Sequence, residues 1–145
     1  MAQVKTRGLM LDLARGMERK TYYAEILPYL RDWGYNLLHL HLLDDQGCRL
    51  VFPRRPELAS QGAFTPAEMR RLVLEAWRCG IEVVPEIESM GHASLLNALP
   101  CFGGKRAART RKHPFSALDP GHPATRPLLR DLFSNAARIF PAEVI

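Results

Sequence analysis

Short apolar runs and helical apolar stripes alternate along this chain. Gly8 to Leu13 (GLMLDL) reads as a first strand. Thr21 is placed to cap a helix reaching about Trp33, with Ile26, Leu27, Leu30 and Trp33 on one face and Gly34 beyond its end. Pro28 falls inside that stretch and is expected to kink or shorten it. A second strand runs from about Asn36 to Leu43, its leucines interleaved with His39 and His41. Thr65, Pro66 and Glu68 spell a capping box ahead of a stripe of Met69, Leu72, Val73, Ala76 and Trp77, closed by Gly80. Ile81 to Ile87 (IEVVPEI) reads as the third strand, and Ala93 to Leu99 as a short helical piece stopped by Pro100. Residues 101–123, rich in Gly, Pro and basic side chains, read as a long loop. Thr125 is then expected to cap a helix burying Leu128, Leu129, Leu132, Phe133, Ala136, Ile139 and Phe140, with Pro141 closing it and Ala142 to Ile145 leading into a fourth strand.

Strands alternating with helices predict an α/β fold with a parallel sheet built from right-handed crossovers. Three such units and an incipient fourth strand amount to about half of a (β/α)8 TIM barrel, which takes about 250 residues. With no internal repeat or linker, residues 1–145 are read as one domain, an incomplete barrel. An open doubly wound sheet is the alternative; no Gly-rich phosphate loop follows the first strand to favour it.

Each strand end carries polar groups: Asp12 and Arg15 at the first, Asp44, Asp45 and Gln46 at the second, and Glu86, Glu88 and His92 at the third. In parallel α/β folds that edge of the sheet binds ligands. Adjacent carboxylates such as Asp44 and Asp45 repel each other, which stability alone does not explain. Arg15 offers a planar fork of donors for hydroxyls or carboxylates. Asp44 can accept from an imidazole, orient a polar substrate, or simply cap a turn. His92, after Gly91, is placed to relay a proton or pair with a carboxylate. His39 and His41 share a strand face, as in some metal-dependent hydrolases, or hydrogen-bond to neighbouring strands. Glu86 and Glu88 share a face too, where one of them could pair with Arg15 or Arg49.

The 145 residues carry a net charge of +5, much of the excess lying in KRAARTRK, Lys105 to Lys112. No aromatic residues interleave with that run and no nucleic-acid motif accompanies it, so a solvated loop is expected and no nucleic-acid partner. Cys48, Cys79 and Cys101 are odd in number and lack CxxC spacing, so three reduced thiols are expected. No apolar run approaches the roughly 20 residues of a membrane span, so no membrane partner is expected. The start, MAQVKTRG, has no apolar signal core, and a cytoplasmic location is the expectation.

Three segments together resemble glycoside hydrolase family 20, the β-N-acetylhexosaminidases: RGLMLDLAR (Arg7 to Arg15), NLLHLHLLDDQGCR (Asn36 to Arg49) and GIEVVPEIESMGH (Gly80 to His92). The likeness runs from about Arg7 to Ile145. It implies the N-terminal half of a TIM-barrel catalytic domain. The implied activity is retaining hydrolysis of terminal β-linked N-acetylglucosamine or N-acetylgalactosamine, in which the substrate's acetamido oxygen attacks the anomeric carbon to give an oxazolinium ion. The implied partner is an N-acetylhexosamine-containing saccharide, and no metal or organic cofactor is implied. By the resemblance Arg15 binds hydroxyls of the terminal sugar, while Asp44 and His92 belong to a relay that supports the catalytic acid. Cys48 stands where the family usually has tryptophan, Gly16 where histidine is common, and Glu88, Ser89 and Met90 where aspartate, methionine and proline precede the glycine, which marks a divergent branch. The family's acid glutamate and its aspartate partner lie in a motif like H-x-G-G-D-E after the fourth strand, and the 145 residues contain no such motif. The chain alone is therefore expected to be inactive. The alternatives are a carbohydrate-binding half-barrel without catalysis and a metal-dependent hydrolase using His39 and His41.

Overall fold

The structure, a computed structural model, describes residues 4–102 and 117–142. Three parallel strands, β1 (Gly8–Asp12), β2 (Leu37–Leu43) and β3 (Glu82–Ile87), pair in the order β1-β2-β3. Asp12, His41 and Glu86 stand in one register row, so the C-terminal strand ends share one edge. Between His41 and Leu43 the β2–β3 register shifts, the irregularity by which a strand end re-aims its side chains. Leu38, Leu40 and Leu42 of the central strand are fully buried and alternate with His39 and His41. The face that the leucines occupy is apolar because, in a parallel sheet, crossover helices pack against it.

The helix expected from Thr21 to Trp33 is two short helices, α1 (Lys20–Glu25) and α2 (Leu27–Asp32). Pro28 lies in the first turn of α2, where its missing N–H has no helical partner to lose, so the chain breaks before the proline. Helix α1 begins one residue before Thr21, and Arg19 precedes it with no side-chain cap. Tyr23, Leu27 and Leu30 are buried, but Trp33 sits past the last turn of α2 and is 68% exposed. In α3 (Pro66–Arg78) the expected stripe is buried from Met69 to Ala76, while Trp77, one step round the helix, is 71% exposed.

Helix α4 (Ser94–Asn97) is followed by a 3-10 turn, Pro100–Phe102. Helix α5 (Thr125–Ala137) buries Leu128, Leu132 and Ala136. Thr125 is its first residue, not its cap, because the hydroxyl donates to the Asp119 carbonyl at 2.7 Å. The basic run 105–112 and most of the expected fourth-strand approach lie outside the described residues; Ala142 has no regular structure. No described helix is long and apolar enough to cross a membrane.

The capping box ties the layers together. Glu68 N–H donates to Thr65 Oγ1 at 3.2 Å, and Thr65 N–H donates to Glu68 Oε2 at 2.8 Å. Lys20 Nζ reaches the same Glu68 oxygen at 2.7 Å and lies 5.3 Å from the Phe64 ring centre, so the start of α1 is pinned to the start of α3. The Lys20 hydrogen bond, followed by those from Thr65, lowers the Glu68 carboxyl to about 2.

Thr65→Ala is expected to cost about 1 kcal/mol in urea unfolding. The folded Glu68 carboxyl titrates below its ordinary value of 4.5, so its stabilising contribution is whole above that pH and is lost as pH falls towards about 2. Glu68→Gln is expected to remove that part of the acid sensitivity, read as a smaller drop in stability between the two pH values.

Candidate functional site at the strand ends

The site begins where β1 leaves the sheet. Leu13 and Ala14 N–H groups both donate to the His41 carbonyl at 3.1 Å, turning the chain so that Arg15 folds back over the β1 end. Arg15 Nη1 donates to Asp12 Oδ2 at 2.7 Å, and Arg15 N–H donates to Asp12 Oδ1 at 3.1 Å. Burial works to raise the Asp12 carboxyl, but the side-chain and backbone hydrogen bonds from Arg15 outweigh it and hold it below its usual range. The same side-chain bond raises the Arg15 guanidinium. With its side chain 37% exposed, Arg15 is fastened on one side and open on the other.

Asp44, at the end of β2, is 1% exposed. Its Oδ1 accepts from Gln46 N–H at 2.6 Å and Gly47 N–H at 3.2 Å, closing an Asx-type turn. Its Oδ2 lies 3.0 Å from Arg15 Nε as an ion pair, without the alignment of a hydrogen bond. Asp44 therefore acts both as a turn cap and as the second anchor of Arg15. A Cβ on Gly47 would stand 2.7 Å from the Ala14 carbonyl oxygen, so only glycine lets this turn lie against the β1 turn.

Asp45, not Asp44, meets His92. His92 Nδ1 is 3.3 Å from Asp45 Oδ2, and Ser94 N–H donates to Asp45 Oδ1 at 2.9 Å. His92 has φ of 46°, in the left-handed region where a non-glycine residue carries strain, and such strain concentrates at functional sites. Burial works to raise the Asp45 carboxyl, but bonds from the Ser94 backbone and side chain, then from His92, hold it below its usual range. Asp44 and His92, which the resemblance puts in one relay, thus have different partners here: Asp44 stands with Arg15 and His92 with Asp45.

Beneath these pairs, Glu86 joins the two histidines of β2. His39 Nε2 lies 2.8 Å from Glu86 Oε2, and His41 Nδ1 lies 3.2 Å from Glu86 Oε1. That is the contact with a neighbouring strand that an HxH pair also allowed, and it leaves Glu86 facing histidines, not Arg15 or Arg49. Arg49 instead donates to the Leu13 and Gln61 carbonyls, at 3.0 Å each. Among the described residues the donors close enough to share a metal ion are one atom each of His41, Glu86 and Glu88, within 4.8 Å of one another; His39 is not in the group. Cys48 is buried with its thiol against the Leu50 carbonyl, and burial pushes that thiol up to about 11, so it is inert as a nucleophile. Sequence reasoning did not assign Asp12 to Arg15 or Glu86 to the histidines. The three-residue spacing of Asp12 and Arg15 was the available signal for the first; no sequence signal pointed to the second.

Gly47→Ala is expected to cost about 1–3 kcal/mol in urea unfolding, because the new methyl meets backbone that cannot step aside. Asp45→Ala is expected to cost a similar amount, about 1–3 kcal/mol, by stripping a charged acceptor from Ser94 N–H and His92.

The sequence profile of the glycosyl hydrolase family 20 catalytic domain matches residues 5–145. The chain is similar to a β-N-acetylhexosaminidase of Cellulomonas fimi, 34% identical over 157 aligned residues that cover 96% of this chain and 31% of that protein. It is also similar to the crystal structure of a Flavobacterium johnsoniae chitobiase, with a TM-score of 0.81 at 36% identity over 94% of this chain and 22% of that one. A β-N-acetylhexosaminidase of Streptomyces coelicolor A3(2) gives 0.82 at 27% identity, over 95% and 31%. The chain spans about a third or less of the relatives it matches. With a profile match over nearly its whole length, and with its three polar strand ends gathered along one edge of the sheet, this chain belongs to glycoside hydrolase family 20.

Proposed function

We propose that this chain forms the first three βα units of a (β/α)8 barrel and provides the sugar-holding part of a β-N-acetylhexosaminidase site. The observation that carries the reading is the fixed guanidinium of Arg15, held by Asp12 and Asp44 at the C-terminal edge of the sheet. An arginine tethered at two points loses little conformational entropy when it donates its remaining N–H groups to sugar hydroxyls. Its substrate class is a saccharide with a terminal β-linked N-acetylhexosamine, in keeping with the names of its relatives.

In the proposed reaction the substrate's acetamido oxygen attacks the anomeric carbon as the glycosidic bond breaks, and the leaving oxygen takes a proton from an acid glutamate. Water then opens the oxazolinium ion with overall retention. Of this machinery the 145 residues hold the support: His92, paired with Asp45, is the proposed relay toward the acid, and Asp44 is assigned to orienting Arg15. The H-x-G-G-D-E acid motif is not among these residues, so the 145-residue polypeptide by itself is proposed to hold the sugar without cleaving it.

The purified 145-residue chain is expected to release no nitrophenol from p-nitrophenyl N-acetyl-β-D-glucosaminide. N-acetylglucosamine at ten times its dissociation constant is expected to stabilise the chain by about 1.4 kcal/mol, an effect that Arg15→Ala abolishes. Turnover by the chain alone would overturn the proposed division of labour. An absence of N-acetylglucosamine stabilisation at saturating sugar would overturn the role given to Arg15.

A further inference from the structure

Away from the strand ends, α5 and the connection from β2 to α3 enclose a cleft of about 360 Å³. Its charge is lopsided. Arg126 and Arg130 from α5, Arg138 just past its end and Arg54 from the connection line it, and Asp131 is the one carboxylate among the described lining residues. Asp131 is already engaged: Oδ1 accepts from Asn135 Nδ2 at 3.2 Å and lies 3.8 Å from Arg54 Nη1. Among the described residues no ion pair engages Arg126, Arg130 or Arg138. Four guanidinium groups around one concavity repel each other, and helix packing does not require them, because α5 is anchored through Leu128, Leu132 and Ala136 on its other side.

We propose that this cleft binds an acidic glycan, a saccharide chain bearing sulfate or carboxylate groups. Arg126 and Arg130 are one helical step of four residues apart, a rise of about 6 Å, and Arg138, at the C-terminal end of α5, lies a further 12 Å or so along the axis, turned by about 80°. A row of guanidinium forks at that spacing suits a linear series of oxyanions, each held by paired N–H donors. Ser134 and Asn135 add neutral groups that pair with sugar hydroxyls. No aromatic ring is among the described lining residues, so the cleft lacks the stacking platform that single-stranded nucleic acid uses. The cleft shares no lining residue with the Arg15 site, and the proposal stands independently of the hydrolase reading.

The test is titration of the 145-residue chain with a heparin dodecasaccharide, at about 50 mM and about 200 mM sodium chloride. Binding is expected to weaken as salt rises, and the double variant Arg126→Gln/Arg130→Gln is expected to weaken it at least ~10-fold. Arg19→Gln/Arg31→Gln, which removes the same formal charge elsewhere, is expected to change it less than ~2-fold. Ser134→Glu, placing an acid inside the cleft while keeping every arginine, is expected to weaken binding as well, which guards against misfolding of the double variant. No binding of the saccharide at low salt would overturn the proposal, as would equal losses in the two double variants. Tighter binding of a twelve-residue oligothymidylate, lost in the same cleft variants, would reassign the cleft to nucleic acid.

Discussion

A buried carboxylate must be answered by donors, and at Asp44 the answer organises the sheet edge. Two backbone N–H groups, from Gln46 and Gly47, take one oxygen, and the guanidinium of Arg15 stands against the other. These groups come from two separate parts of the chain. The turn after β2 must close tightly to bring its N–H groups round, and the turn after β1 must lie against it to bring Arg15 over. Gly47 is the point of contact, where any side chain would strike the Ala14 carbonyl. Arg15, the residue best placed to meet a polar ligand, is thus oriented by the need to compensate a charge.

Asp45 serves the next strand in the same way. It accepts from Ser94 and pairs with His92, so the segment after β3 is drawn back to the end of β2. Adjacent aspartates that repel each other in the linear sequence are separated by being given different partners, one toward β1 and one toward β3. Below them Glu86 bridges His39 and His41 across the β2–β3 pairing. The result is a layer of cross-strand polar contacts capping an apolar sheet, and its left-handed residue, His92, is held in place by those contacts.

The scaffold behind this edge is held by local devices. The Thr65–Glu68 box starts α3, and Lys20 uses the same Glu68 oxygen to attach α1. The solvent face of α5 carries a different load, with arginines gathered around one cleft where packing asks for none. Among the described residues, the charge around that cleft is therefore locally unbalanced, with four arginines against one aspartate.

Much of the architecture was legible in the residues. Strand β2 was found within a residue of its ends because its leucines alternate with histidines, and α3 because Thr65, Pro66 and Glu68 form a start signal that works through contacts three residues apart. Tertiary context overrode the rest. Pro28, expected to kink or shorten one long helix, shortens it, and lies in the first turn of a second. Trp33 and Trp77 fit helical stripes by periodicity and lie outside the core, since burial depends on what packs opposite them and not on their own spacing. At the site, the sequence determined which groups stand at the strand ends, Arg15, Asp44, Asp45, Glu86 and His92, because a parallel sheet places every strand's C-terminal end on one edge. Which carboxylate takes which partner was decided only by the folded structure. Asp44 and Asp45 are neighbours in the chain and chemically alike, and only the turn at Gly47 and the bend at His92 give one to Arg15 and the other to His92.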